Sequence, residues 1–468
     1  MGVNKGEAAY IQFLLWDLPG IFTLTIELIS WEINKKKKRG EKVIRFKKAK
    51  FTTVLVLVLF AAVVMLAGCG KSDVPAKAQK DYILIGRVNP VTGPLASFGA
   101  GTPQIEEKAI EAINKEGGVY IAEYGKKLPI RIIVADSESN PTKAAEAANK
   151  LILQDKVDIM MAAHTPDTVN PVAAAAERHK IPCITVDALS DAWLSGGPYT
   201  WNFHAFWKVH SLVDVYLDMW DQLPTNKKVG LIAPNDPDGM AIADMLKKKA
   251  PERGYVLVDP GRFPPNTKDY TAMINQFKQA DVDIVLAMQI PPDFATAWKQ
   301  MKQQGLVPKI MSAAKAILFP ADIAALGDDL GEALTTEVWW SPMSGNKSSL
   351  TGQSSAEIAK MWTDMTGKQP MATLGYKHAS MEIVVDVLKR AQSLDRIKLR
   401  DAIKATNIDT VVGHIQYNEQ NLAETLLVGG QWVKGKNWPW EMNIISNKKM
   451  PIVPLSTESM KYMPGSRQ

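Results

Sequence analysis

Six histidines (His164, His179, His204, His210, His378 and His414) and two cysteines (Cys69 and Cys183) are the residues best suited to metal or nucleophilic chemistry. No two of the histidines stand at ligand spacing. His204 and His210 are six apart, which suits a chain connection and a helix start better than a zinc pair. The chain has no G-x-S-x-G elbow, no H-E-x-x-H pair and no EF-hand loop. Gly70-Lys71-Ser72 imitates the end of a phosphate loop, but Met65 stands where that loop needs its first glycine. An enzyme is therefore not expected, and neither a metal nor a cofactor is called for. Non-covalent chemistry is better served. The segment from Pro166 to Arg178 reads as a helix, and helix N-terminal amides attract anions. Pro166 removes one of those donors, and Asp167 reads equally as a helix cap. His164, just before it, is suited to donate to an anionic ligand, or to serve as a hydrogen-bonded structural histidine.

Elements must hold such groups. Short apolar runs at 82–88, 130–135, 157–162 and 182–186 form one series of expected strands, and runs at 228–233, 255–258, 282–288, 309–312 and 334–339 form a second. Amphipathic stretches at 102–116, 141–154, 166–179, 238–250, 268–279 and 292–304 separate them. Continuous apolar strands between helices mean parallel sheets covered on both faces, so the expected class is α/β with two doubly wound parallel-sheet lobes. Ligands of such sheets sit beyond the carboxyl ends of the strands. The loops of interest are then 89–101, 163–168, 187–197, 234–239, 289–293 and 313–319.

The 468 residues are 46% hydrophobic and 22% charged, which is globular composition and excludes wholesale disorder. The net charge of +6 resides in residues 1–68, where eleven Lys/Arg face five acids; the remainder holds 44 of each sign. A neutral body has no broad cationic face, so nucleic acid is not an expected partner. Residues 42–50 form a cationic segment, and 51–68 are uncharged and apolar. Eighteen apolar residues are just long enough for a retained membrane anchor, but Leu66-Ala67-Gly68-Cys69 resembles the bacterial lipobox, which implies cleavage before Cys69 and its lipidation. That makes 1–68 an N-terminal extension and lipoprotein signal peptide, and 69–80 a polar tether. Residues 1–41 exceed a normal signal peptide, which suggests initiation nearer Val43. With Cys69 lipidated, Cys183 in its apolar run is expected as a buried, inert thiol.

Ordered motifs along 81–440 resemble the type I periplasmic solute-binding proteins of the branched-chain amino acid and amide class. They include Thr92-Gly93-Pro94-Leu95-Ala96-Ser97-Phe98-Gly99, Ile113-Asn114-Lys115-Glu116-Gly117-Gly118, Ala135-Asp136-Ser137, Asn235-Asp236, Thr267-Lys268-Asp269-Tyr270, Pro291-Pro292-Asp293 and Gly375-Tyr376. The resemblance implies two lobes joined by three crossovers, near 201–206, 338–342 and 420–428. The lobes are expected as 81–201 with 340–422, and 202–339 with 423–468. It also implies a lipid-anchored, extracytoplasmic receptor, expected as a monomer, that delivers a solute to ABC permease subunits. The alternative is a receptor that signals to another protein.

Carried over residue by residue, the resemblance puts Phe98 over the ligand, with His164, Thr165, Pro166 and Asp167 at a ligand carboxylate. It adds Asp187, Ala188 and Leu189 in the next loop, then Asp236, Pro237, Gln289, Ile290 and Lys315 in the second lobe. The departures from the family pattern are Leu189 in place of a hydroxyl residue, Pro237 and Gln289-Ile290 in place of aromatics, and Lys315 where amino-acid binders often place an acid. They imply a small carboxylate or amide, aromatic or not, rather than a simple branched-chain amino acid. An ammonium would need Asp187 or Asp236 as counter-charge. Trp193, Trp207, Trp339 and Trp340 are candidates for aromatic pocket walls, with core or hinge packing the plainer reading.

Overall fold

Buried strands that show no polar alternation need cover on both faces, and the architecture supplies it. The structure is a computed structural model that describes residues 80–327 and 330–467, within the compact unit Ala78–Gln468. The expected signal segment, Cys69 and the expected tether up to residue 79 lie outside the described residues. The first lobe begins with β1 (Ile83–Asn89), the hairpin β2 (Val119–Ile121) and β3 (Lys126–Leu128), β4 (Ile130–Asp136), β5 (Ile159–Ala163), β6 (Cys183–Val186) and β7 (Asn202–Phe206). The second lobe follows with β8 (Lys228–Pro234), β9 (Val256–Val258), β10 (Arg262–Phe263), β11 (Ile284–Met288), β12 (Ile310–Ala314) and β13 (Thr335–Val338). The chain then adds the hairpin β14 (Asn407–Thr410) and β15 (Gly413–Gln416), followed by β16 (Leu422–Glu424), β17 (Val428–Lys434) and β18 (Trp440–Ser446).

The first sheet runs β16-β7-β6-β5-β1-β4, and every pairing in it is parallel. Alternate residues of its strands enter different cores. Ile83 and Ile85 of β1 pack with Ile105 and Ala109 of the helix Thr102–Lys115 and Leu388 of the helix Leu374–Ala391. Leu84 and Val88 pack on the other side with Ala148, Leu151 and Val172 of the helices Pro141–Leu153 and Pro166–His179. Each such aliphatic side chain contributes roughly 1.5–3 kcal/mol on full burial. Cys183 is buried here, and burial pushes its thiol pKa up.

The second sheet runs β10-β8-β11-β12-β13-β17-β18, with β9 also on β8. Strands β8 to β13 pair in parallel; β17 lies antiparallel to β13 and β18 antiparallel to β17. That antiparallel edge was not among the expected strands. The connection 435–439 is too short for anything but a hairpin.

The chain crosses between lobes after Phe206, after Val338 and after Glu424. The lobe boundary expected after residue 201 thus moves past β7, because Asn202–Phe206 are all buried and need a sheet neighbour on each side. The boundary expected after 422 moves past Glu424 for the same reason. Among the described residues no helix is long and apolar enough to cross a membrane.

Candidate functional site

The carboxyl ends of β1, β5, β6 and β7 in the first lobe meet those of β8, β11, β12 and β13 in the second. The short helix Ala96–Gly99 carries Phe98 into that junction, where its ring lies 4.9 Å from that of Phe319 and 6.2 Å from that of Trp339. Lys377, from the late helix Leu374–Ala391, donates its ammonium to the Phe98 carbonyl at 2.9 Å and so holds the loop from beneath. Phe206 and Trp207 at the end of β7 complete an aromatic wall against Trp339, with centroids 4.9 and 6.1 Å apart. Ser97 donates to Asp322 across the cleft at 3.1 Å, so the lobes are in contact and closed.

Four non-glycine residues in the cleft loops adopt left-handed backbone: His164 (φ 74°), Thr165 (φ 70°), Asp187 (φ 59°) and Lys315 (φ 54°). Such residues cost of order 1–3 kcal/mol each in strain, and they cluster where side chains must be aimed. The Thr165 amide donates to the Asp187 carbonyl at 2.9 Å, which locks two of these loops together.

The strained loops enclose a cavity of about 20 Å³ lined by Phe98, Thr165, Asp187, Ala188, Leu189 and Lys315. Phe206, Trp207, Asp238, Met288 and Trp339 complete the lining. Around it stand buried polar atoms with no protein partner: the Thr165 hydroxyl, Asp187 Oδ1, the Trp207 indole N–H and Asp238 Oδ1. Buried groups of this kind cost about 1–3 kcal/mol each unless something bonds to them. A second cavity of about 270 Å³ lies between the lobes and is lined in part by Asp167, Asp236, Ile290 and Asp293.

Charges under the cleft are densely coupled. Burial raises the Asp187 pKa to about 7, against the pull of Lys377 and Arg87. Burial likewise lowers Lys377 to about 7, against the pull of Asp187. Arg87 is itself paired with Glu106, and both are fully buried. Burial works against the Lys315 ammonium, but Asp238 and Asp236 outweigh it and raise its pKa. Burial holds Asp238 up at about 6 in spite of that pairing.

His164 is fully buried beneath this surface. Its Nε2 lies 3.2 Å from the Thr102 hydroxyl and its Nδ1 3.0 Å from Asp187. Burial first, then Lys377 and Arg87, lowers its pKa well below the usual value, so it is neutral near pH 7. His164 supports Asp187 and lies outside the lining of both cavities. Gln289 is also buried and donates to the Tyr270 hydroxyl at 3.0 Å. Asp236 caps the helix Pro237–Lys249 by accepting from the Gly239 amide at 2.7 Å. Pro166 and Pro237 open their helices and line neither cavity. Trp193 stacks on Tyr199 and His204 inside the first lobe, away from the cleft.

Asp238, Phe206 and Met288 were not singled out by sequence. Asp238 could have been found, because it sits two residues past the Asp236 helix cap in a loop of interest. Phe206 and Met288 could not, because burial in a core and burial in a cleft leave the same apolar signature.

Comparison with known proteins places this geometry. The family described as periplasmic binding protein matches residues 83–436. The Leu/Ile/Val-binding protein homolog 1 of Brucella abortus (strain 2308) is 26% identical over 370 residues, covering 78% of this chain and 91% of that protein. The branched-chain amino acid transporter substrate-binding protein LivJ from Streptococcus pneumoniae, solved with isoleucine, superposes with a TM-score of 0.66 at 16% identity, covering 78% of this chain and all of that one. A solute-binding protein of an ABC transporter from Rhodopseudomonas palustris BisB5, solved with 3,4-dihydroxybenzoic acid, gives 0.63 at 18% identity, covering 82% and 99%.

Proposed function

This chain belongs to the periplasmic binding protein family, and we propose that it is the extracytoplasmic solute receptor of an ABC importer, held at the membrane by lipid on Cys69. In this reading its lobes close on a small solute that carries an aromatic group and amino-acid-like, amide or carboxylate polarity, and the permease subunits recognise the closed form. One observation carries the reading: aromatic rings from both lobes surround a cavity bordered by unpartnered Thr165, Asp187, Trp207 and Asp238 atoms. Phe98, Phe206, Trp207 and Trp339 suit a ring or a large apolar side chain. The Thr165 hydroxyl and the Trp207 N–H suit a carboxylate, while Asp187 and Asp238 suit an ammonium or amide donor. Lys315 already has Asp238 as counter-ion, so it is a weak partner for a solute carboxylate. Asp167, Asp236 and Ile290 sit at the wider interlobe cavity and meet the solute as it enters. A cavity of about 20 Å³ holds roughly one water molecule, so a solute enters only when the lobes part.

A thermal-shift screen of the purified protein against amino acids, amides and aromatic carboxylates tests this. A solute at a hundred times its Kd adds about 2.7 kcal/mol, a shift of a few degrees. Stabilisation by aromatic amino acids, aromatic amides or aromatic acids is expected. No stabilising compound in any of the three classes sinks the receptor reading. A response confined to leucine, isoleucine and valine overturns the aromatic preference.

A further inference from the structure

A second cavity system lies apart from the cleft. It encloses about 610 Å³ where the crossover after β13 passes between the lobes. Its walls come from three places. The crossover supplies Trp340 and Met343, and the first lobe supplies Met371 beyond the helix Ser355–Thr366. The β17–β18 hairpin of the second lobe supplies Trp432, Trp438 and Met442. Three indoles and three thioethers make a polarisable surface suited to a flat ring. Met343 is 42% exposed at the rim, so the pocket is open to solvent.

Charge narrows the occupant. Three charged residues line the pocket, and each is already engaged. The Glu337 carboxylate accepts from the Tyr216 hydroxyl, the Lys315 amide and the Trp339 indole. Glu441 accepts from the Asn437 and Trp438 amides, and Lys360 pairs with Asp364. A charged ligand would lose its hydration with no counter-charge in return.

The pocket is also wired to the hinge. Successive residues of an extended chain point to opposite sides. Trp339 accordingly lines the cleft while Trp340, next to it, lines this pocket. Trp340 has little freedom: a Cβ on Gly375 would lie 2.3 Å from its Cγ, and its indole donates to Ser355 at 3.2 Å. Beside the pocket, Gln369 of the first lobe donates to the Trp440 carbonyl of the second at 2.8 Å.

We propose that this pocket is a second binding site, for a small, flat, uncharged aromatic molecule, and that filling it favours the lobe angle at which its three walls converge. A ligand shifts such an equilibrium by its differential affinity for the two states. At a hundred times its Kd, a ligand confined to this lobe angle changes the ratio of closed to open protein by up to about 100-fold.

Indole and 2-naphthol are suitable probes, titrated calorimetrically into the purified protein without added solute, with small-angle scattering run in parallel. Saturable one-to-one binding is expected, weakened at least about tenfold by Trp438→Ala and by Met343→Trp, together with a smaller radius of gyration on saturation. Trp438 is only half-buried and Met343 is at the rim, so both variants keep the fold; their melting temperatures check this. Absence of saturable binding below about 1 mM overturns the proposal. Binding indifferent to both variants overturns it too, because the probe then sits outside this pocket. Binding with no change in scattering overturns the effect on the lobe angle. None of these readouts depends on the cleft's solute, so they stand apart from the screen that tests the receptor reading.

Discussion

Thr165 shows how a single residue is set up for binding. Its backbone is left-handed, its amide is committed to Asp187, and its buried hydroxyl has no protein partner. Thr165→Val keeps the shape and removes only that hydroxyl. We expect the melting temperature to stay level or rise slightly, and the affinity for the screened solute to fall about tenfold. An unchanged affinity by calorimetry would remove Thr165 from the site. His204 makes a prediction about pH. It is buried between the Thr185 hydroxyl at 2.8 Å and the Ala188 carbonyl at 2.7 Å, and burial lowers its pKa to about 4. Between pH 6.5 and 4 the unfolded chain takes up a proton that the folded chain refuses. Stability from this group is therefore full above pH 6.5 and is lost as pH falls towards 4, by about 3 kcal/mol in all. Chemical denaturation across that range should show His204→Gln with a shallower acid loss than the wild type; equal slopes would refute the assignment.

At the scale of elements, the loop that presents Phe98 depends on close backbone approach. A Cβ on Gly99 would lie 2.1 Å from the Pro90 carbonyl oxygen, so the short helix Ala96–Gly99 must move to accept any side chain. Gly99→Ala should cost about 1–3 kcal/mol in denaturant unfolding and weaken solute binding as Phe98 shifts. Stability and affinity both equal to wild type would show that the loop adapts freely. Helices at the cleft were largely legible from proline and period: the expected 166–179 is Pro166–His179, and the expected 292–304 is Pro291–Gln303. Strand β7 was not legible. Its residues Asn-Phe-His-Ala-Phe lack the aliphatic run of the other strands, and only pairing with β6 and β16 defines it.

For the whole molecule, the closed arrangement rests on contacts between lobes that include Phe98 on Phe319, Ser97 on Asp322 and Gln369 on the Trp440 carbonyl. A solute that binds both lobes should therefore compact the protein, with a smaller radius of gyration by small-angle scattering at saturation. Ser97→Ala removes one interlobe hydrogen bond, worth about 1 kcal/mol, and should weaken solute affinity a few-fold without lowering the melting temperature of the free protein. If saturating solute leaves the scattering unchanged, closure is not how binding is signalled.

The sequence by itself determined the α/β class, the two lobes and the loops in which a site could form. Strand and helix periods are local properties, and sheet topology puts ligands at carboxyl strand ends whatever the side chains are. It also marked Phe98, Thr165, Asp187 to Leu189 and Lys315, all of which line the closed cavity. Only the tertiary structure decided that His164 and Gln289 turn inward, that Asp238 lies closer to Lys315 than Asp236 does, and that Trp339 and Trp340 serve different cavities. The reason is physical. Whether a buried group faces a core or a cleft, and which of two nearby acids neutralises a cation, depends on distances of a few ångströms between segments far apart in the chain, and those distances have no local signature.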